Sequence, residues 1–325
     1  MRATAIIACI ALASSCSSNA PSVLSPQGDS ARRINGLWWL MFWISLVVFV
    51  VVAGLMAAAI VRRRRRGLEV DASEPRWGDP FVVIAGVVVP AVILTSVLVV
   101  SARDLVAMTD TRDAQLTIQV VGHMWWWEVR YPDGVETANE IHIPVGETVR
   151  FEVSSVDVIH SFWVPELAPK IDMIPGRTNV LDVRAERSGT YRGQCAEFCG
   201  LQHANMAFFV VAEPRAEFDR WLRNESLPAG IPSPRATAGL RIFLESSCVG
   251  CHTIRGTEAS GTLGPDLTHV AARHTLAAGT IANTRDDLAA WISDPQSIKP
   301  GAVMPPTELS PQELSAVVEY VEGLT

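Results

Sequence analysis

Two runs of this sequence, Leu37 to Val61 and Phe81 to Val100, contain no charged residue. Each reaches the roughly 20 apolar residues that cross a bilayer. Backbone groups in hydrocarbon have no water to bond, so such runs must form self-satisfied helices. Arg62 to Arg66 follow the first run directly, and by the positive-inside rule that end is cytoplasmic. Pro90 sits inside the second run, where a membrane helix tolerates it. Two crossings put both termini outside, so everything after Ser101 is expected on the extracytoplasmic side. Residues 1–20 read as an export signal: Arg2, an apolar stretch from Ala3 to Ala13, then small residues before Cys16. Ala13-Ser14-Ser15-Cys16 resembles a lipoprotein cleavage box; ordinary cleavage nearby and an uncleaved end are the alternatives. A net charge of -7 argues against a nucleic-acid partner.

After the second run the pattern shortens. Leu116 to Val120 alternates apolar and polar residues, as a half-buried strand does. Ile141 to Ile143, Thr148 to Val153, Val180 to Val183 and Phe208 to Val211 also read as strands. Turn signals such as Pro132-Asp133-Gly134 and Pro144-Val145-Gly146 separate them. Residues 113–223 are therefore expected to form a small all-β domain, an antiparallel sandwich or barrel. Residues 224–234 hold three prolines and predict a semi-rigid linker, ~30 Å long if extended, with few contacts crossing it. Residues 235–325 carry helical patterning. Ser310 and Glu313 have the spacing of a capping box.

The six cysteines fall into three pairs: Cys9 and Cys16 lie in the expected export signal, and the other two pairs are close and sit beside histidines, which favours metal or haem chemistry over a disulfide framework. The sharpest motif is Cys195-Ala-Glu197-Phe-Cys199, followed by His203 and Met206. Two thiolates four residues apart can bridge two ions. A histidine and a thioether add soft ligands that prefer copper, whereas zinc would more often take another Cys or His in place of Met206. A second copper needs one more histidine, and His160, which ends an expected strand from Val156 to His160, is the candidate. His123 and His142 read as structural.

Cys248-Val-Gly-Cys251-His252 is the c-type haem attachment motif. The thiols would add to the haem vinyl groups and His252 would lie below the iron. Met304, the one methionine after His252, is the expected sixth ligand. His269 and His274 are the alternatives. His/Met ligation raises the haem potential relative to bis-histidine.

The copper motif, Val158 to Phe162, Lys170 to Arg177 and Gly122 to Trp127 together resemble cytochrome c oxidase subunit II. Ile281 to Met304 resembles the cytochrome domain fused to that subunit in caa-type oxidases. The resemblance implies a two-helix transmembrane hairpin, an all-β cupredoxin-like domain and an all-α cytochrome c domain, in a bacterial plasma membrane. It implies a dinuclear CuA centre in which Cys195 and Cys199 bridge both coppers. His160 and Met206 complete one copper; His203 and the Glu197 carbonyl complete the other. The Glu197 carboxylate would face a magnesium shared with subunit I. Trp125 matches the surface tryptophan where electrons enter, although stacked aromatics more often fill a core. Pro265 would orient the His252 ring. Val83 stands where many relatives have a glutamate at a proton pathway, so the resemblance does not reach that feature.

The reading that follows is an electron-intake subunit. Electrons pass from an upstream cytochrome or bc-type donor to haem, to CuA, and to subunit I, where dioxygen is reduced. The rivals are a CuA reductase of another substrate and a membrane-anchored redox carrier. Seven histidines are too few for the multi-copper cluster the first rival needs. The second would lack a polytopic partner subunit.

Overall fold

The computed structural model describes residues 21–66, 78–109 and 114–325. The expected export segment, with Cys16, lies outside them. Two helices, α1 (Asp29–Arg66) and α2 (Gly78–Thr109), are long and apolar enough to cross a membrane. Both outrun the apolar runs expected at 37–61 and 81–100, because their polar flanks continue the helix. Their apolar side chains point outward: Val92, Leu94 and Leu98 are all more than 60% exposed, as lipid-facing residues would be. Trp38, Trp39, Phe42 and Trp43 cluster near one end of α1, with Trp38 stacked on Phe42 at 5.4 Å. Such aromatics suit a membrane–water boundary. Within α2, Ile84 to Val88 adopt π-helical geometry just before Pro90. Proline has no N–H to donate and its ring crowds the carbonyl four residues back, so the wider turn relieves the clash.

The rest of the chain forms a second compact unit. Its first part is a sandwich of two five-stranded sheets. One runs β3 (Glu136–Ala138), β2 (Trp126–Arg130), β1 (Leu116–His123), β5 (Val149–Ser155), β8 (Asn179–Val183). The other runs β4 (Glu140–Pro144), β10 (Ala207–Glu213), β9 (Gly189–Cys195), β6 (His160–Trp163), β7 (Ile171–Met173). Burial alternates residue by residue along β5, the mark of a strand with one face in a core. Trp127, Phe151, Phe162 and Phe208 are fully buried, with Phe162 and Phe208 stacked at 4.6 Å. Truncating one of these rings to alanine should cost about 3–5 kcal/mol.

Two expectations are corrected. The sandwich is mixed rather than antiparallel, because β1 pairs β5 and β4 pairs β10 in parallel. Long excursions through the opposite sheet separate these partners and make parallel pairing feasible. His160 begins a strand instead of ending one. The Ser155 and Asp157 side chains bond the Val158 backbone, with Ser155 Oγ donating to Val158 O at 2.5 Å, and this local bonding competes with a strand ladder.

Helix α3 (Arg215–Glu225) packs on the sandwich through buried Phe218. It runs past Asn224, so the expected linker starts only after buried Glu225. The helical domain follows with α4 (Ala236–Glu245), α5 (Arg285–Ser293), α6 (Pro295–Ile298) and α7 (Pro311–Val321). Ser310 and Glu313 form the expected capping box of α7. Helix α4 crosses α7 at Gly239, where a Cβ would lie 2.0 Å from Ala316 O, so only glycine fits. A two-residue ladder, β11 (Thr275–Leu276) with β12 (Ile281–Ala282), interrupts the helices. Phe243, Val317, Val318 and Tyr320 centre a core of its own.

Candidate functional site

Two loops of the sandwich meet at its end. One joins β5 to β6 and supplies His160; the other joins β9 to β10 and supplies Cys195, Glu197, Cys199, His203 and Met206. The two Sγ atoms lie 3.7 Å apart as free thiols. Cys195 Sγ is 3.9 Å from His160 Nδ1 and 3.2 Å from the Glu197 carbonyl. Cys199 Sγ is 3.7 Å from His203 Nδ1 and 3.8 Å from Met206 Sδ. All six sequence-designated donors converge. Two thiols, a thioether and two imidazoles dominate the set, and these soft and borderline donors fit copper. Each thiol governs the other. Its bond to Cys199 pushes the Cys195 thiol well below the usual range, against burial. Cys199 is raised by Cys195 and by burial. Two cations between the sulfurs would let both ionise.

The surroundings aim these donors. His160 is fully buried, and its Nε2 meets Asp157 Oδ1 at 2.8 Å, which leaves Nδ1 for the thiol side. Burial would raise the Asp157 carboxyl, but His160 and the Val158 and Met124 amides hold it below the usual range. A Cβ at position 122 would sit 2.8 Å from the His160 ring, so glycine there lets β1 approach. Sequence reasoning passed over Asp157 and Gly122, although Asp157 stands only three residues before His160. The exposed Glu197 carboxylate lies 3.7 Å from Lys170 Nζ, away from the sulfurs.

At the attachment motif, Cys248 and Cys251 are free and partly exposed. His252 Nδ1 donates to Pro265 O at 2.8 Å, which sets the tautomer and leaves Nε2 to bind a metal. A Cβ at position 264 would sit 2.7 Å from His252 Cε1, so glycine there leaves the ring its place. These features fit a covalent haem. Of the alternative axial histidines, His269 Nε2 donates to Leu227 O at 3.0 Å and His274 Nδ1 meets Glu140 Oε2 at 2.9 Å. The Met304 loop is held by Gln296, which donates to Ala302 O and Met304 O and accepts from Gly301 N.

The two parts are not loosely tethered, contrary to the expectation that few contacts cross the linker. Ala207 N donates to Ala278 O at 2.9 Å and Gln202 Nε2 to Pro300 O at 2.7 Å. Glu140 accepts from the His274 backbone and ring. Burial would raise the Glu140 carboxyl, but its bonds to His142 and His274 prevail and hold it at about 2. Trp125 lies at this junction. Its Nε1 donates to Cys199 O at 2.9 Å, and a Cβ on Gly301 would be 3.6 Å from its ring. The tryptophan expected at the open surface is thus partly covered by the helical domain.

Residues 134–213 match the family described as cytochrome C oxidase subunit II, periplasmic domain, and residues 236–325 match cytochrome c. The chain is 33% identical over 262 residues to cytochrome c oxidase subunit 2 of Bacillus sp. PS3, covering 75% of this chain and 72% of that protein. The chain belongs to the cytochrome c oxidase subunit 2 family. A relative of the same name from Alkalihalophilus pseudofirmus is 41% identical over 217 residues, 65% of this chain and 62% of that protein, so that match spans under two thirds of the relative. The crystallised periplasmic domain of subunit II from Bradyrhizobium japonicum is 35% identical, with a TM-score of 0.34, covering 35% of this chain and 94% of that one.

Within this family frame, Met206→Leu tests the thioether. Leucine conserves volume at a fully buried position and should cost under about 1.5 kcal/mol of stability. The copper electron paramagnetic resonance signal should change while the haem spectrum stays as it was. An unchanged copper signal would remove Met206 from the ligand set.

Proposed function

We propose that this chain takes in electrons for a membrane-bound, proton-translocating cytochrome c oxidase, passing them from its own haem c to a dinuclear CuA centre and on to subunit I, where dioxygen is reduced to water. The observation that carries the reading is the convergence of two thiols, a thioether, two imidazoles and a backbone carbonyl at one end of the sandwich, docked against a domain with a haem attachment site. When bound, the copper pair and the haem supply one-electron chemistry.

The chain's residues supply position and environment. Cys195 and Cys199 would hold both coppers, with His160, Met206, His203 and the Glu197 carbonyl as the further ligands. Asp157 orients His160. Cys248 and Cys251 would tether the haem, and His252 and Met304 would ligate its iron. Pro265 O fixes the His252 ring. Trp125, between the Gly301 turn and Cys199 O, is the proposed bridge between the two centres and, by resemblance, the place where electrons enter. The Glu197 carboxylate is kept as a ligand to a magnesium at the boundary with subunit I. Both domains are placed outside a bacterial plasma membrane, anchored by α1 and α2. An upstream cytochrome or bc-type complex is the proposed donor.

Metal analysis of the oxidase purified through this chain should give two coppers and one covalent haem per chain, and a polytopic partner should co-purify. One copper, stoichiometric zinc in the sandwich, or isolation without a partner would overturn the reading.

A further inference from the structure

Lys299 is only 2% exposed, and lysine is rarely buried so fully unless its charge is matched. Its Nζ donates to Trp125 O at 2.8 Å, Asn205 O at 2.7 Å and Ala277 O at 2.8 Å. An ammonium has three donors, and here each has a carbonyl. Two of those carbonyls belong to the sandwich and the third to the haem domain. Burial pushes the amine down to about 7, against the pull of Cys199; the three carbonyls favour the ammonium.

The acceptors are not ordinary surface carbonyls. Trp125 also bonds Cys199 O through its ring. Asn205 directly precedes Met206 and also accepts from Thr280 Oγ1 of the haem domain at 3.3 Å. Ala277 and Ala278 sit at φ 51° and 58°, a left-handed conformation that alanine seldom takes. Held that way, Ala277 O meets Lys299 and Ala278 O meets the Ala207 amide. Such backbone strain persists where surrounding contacts over-determine it. Pro300 O accepts from Gln202 one residue after Lys299, so the turn is anchored at consecutive positions.

We propose that Lys299 is a positioning residue whose side chain clamps the haem domain onto the copper-binding loops and so fixes the distance between the two redox centres. The clamp follows from these contacts; its effect on electron transfer rests on the proposed function.

The test uses Lys299→Met in the complete oxidase. Methionine fills much of the space but removes a donor from all three carbonyls, leaving Trp125 O with none and Asn205 O and Ala277 O to share Thr280 Oγ1, which disfavours the docked arrangement. Hydrogen exchange at the Ala207 and His274 amides should quicken by about tenfold or more. Amides in α7 and in β5 should be unchanged, as should the haem potential and the copper resonance signal. Transfer between the domains should slow by a similar factor and become viscosity-dependent, while a small reductant that reaches copper directly should sustain normal turnover. Should Lys299→Met also expose α7, Lys299→Gln, which keeps two N–H donors, is measured at the same amides and should quicken them less. Unchanged protection at Ala207 and His274 would overturn the clamp. Faster exchange with unchanged transfer would keep the clamp and overturn its role in positioning the centres.

Discussion

Cys199→Ser should eliminate the two-copper centre while the covalent haem stays in place. Serine nearly matches the buried thiol in size, so the β9–β10 loop should still fold. Its hydroxyl does not ionise near neutral pH and cannot bridge two ions. Loss of groups that merely orient a ligand costs roughly 10–100-fold in metal affinity, so loss of a bridging ligand should exceed that. Copper content should fall below two per chain, and oxygen uptake should drop by at least about a hundredfold. Cys248, Cys251 and His252 are untouched, so the haem absorbance should remain. Retention of two coppers with an unaltered resonance signal would show that Cys199 is not a bridge.

Deleting residues 235–325 should remove most turnover with the native donor. A tethered donor works at an effective concentration of order millimolar, and the deletion replaces it by diffusional encounter. The sandwich should still fold, since Trp127, Phe151, Phe162 and Phe208 pack within it and α3 still caps it. Docked surfaces become exposed: Trp125 loses its cover, and Glu140 loses His274. Soluble cytochrome c should therefore support the truncated oxidase better than the full-length one. A small chemical reductant should sustain both. The measurement is oxygen uptake in membranes with each donor, and equal uptake from the native donor would refute an obligatory haem relay.

Much of this could be read from the residues alone. Chemical attachment and ligation motifs are short and local, so Cys195 to Met206 and Cys248 to His252 announce themselves within a dozen residues. Uninterrupted apolarity marks α1 and α2 because a bilayer leaves a backbone few options. Period-two alternation located the strands but not their pairing, since alternation records which face is buried and not which neighbour bonds. The mixed sheets therefore escaped it. So did the turn before His160, where the Ser155 and Asp157 side chains outcompeted a strand. Prolines from 228 to 234 pointed to a spacer, yet local stiffness carries no information about the surfaces at either end.

Those surfaces separate what order along the chain could establish from what folding alone arranged. Order along the chain was enough for the two long apolar helices, the domain types and the candidate ligand motifs, because these depend on neighbours within a helical turn, a strand or a loop. The docking of the haem domain depends on partners far apart: Lys299 and Trp125 are separated by 174 positions, and Glu140 and His274 by 134. Nothing in a lone lysine distinguishes a solvated charge from a buried one with three carbonyls around it. That difference is set by desolvation and hydrogen-bond geometry, which exist only once the chain has brought those groups together.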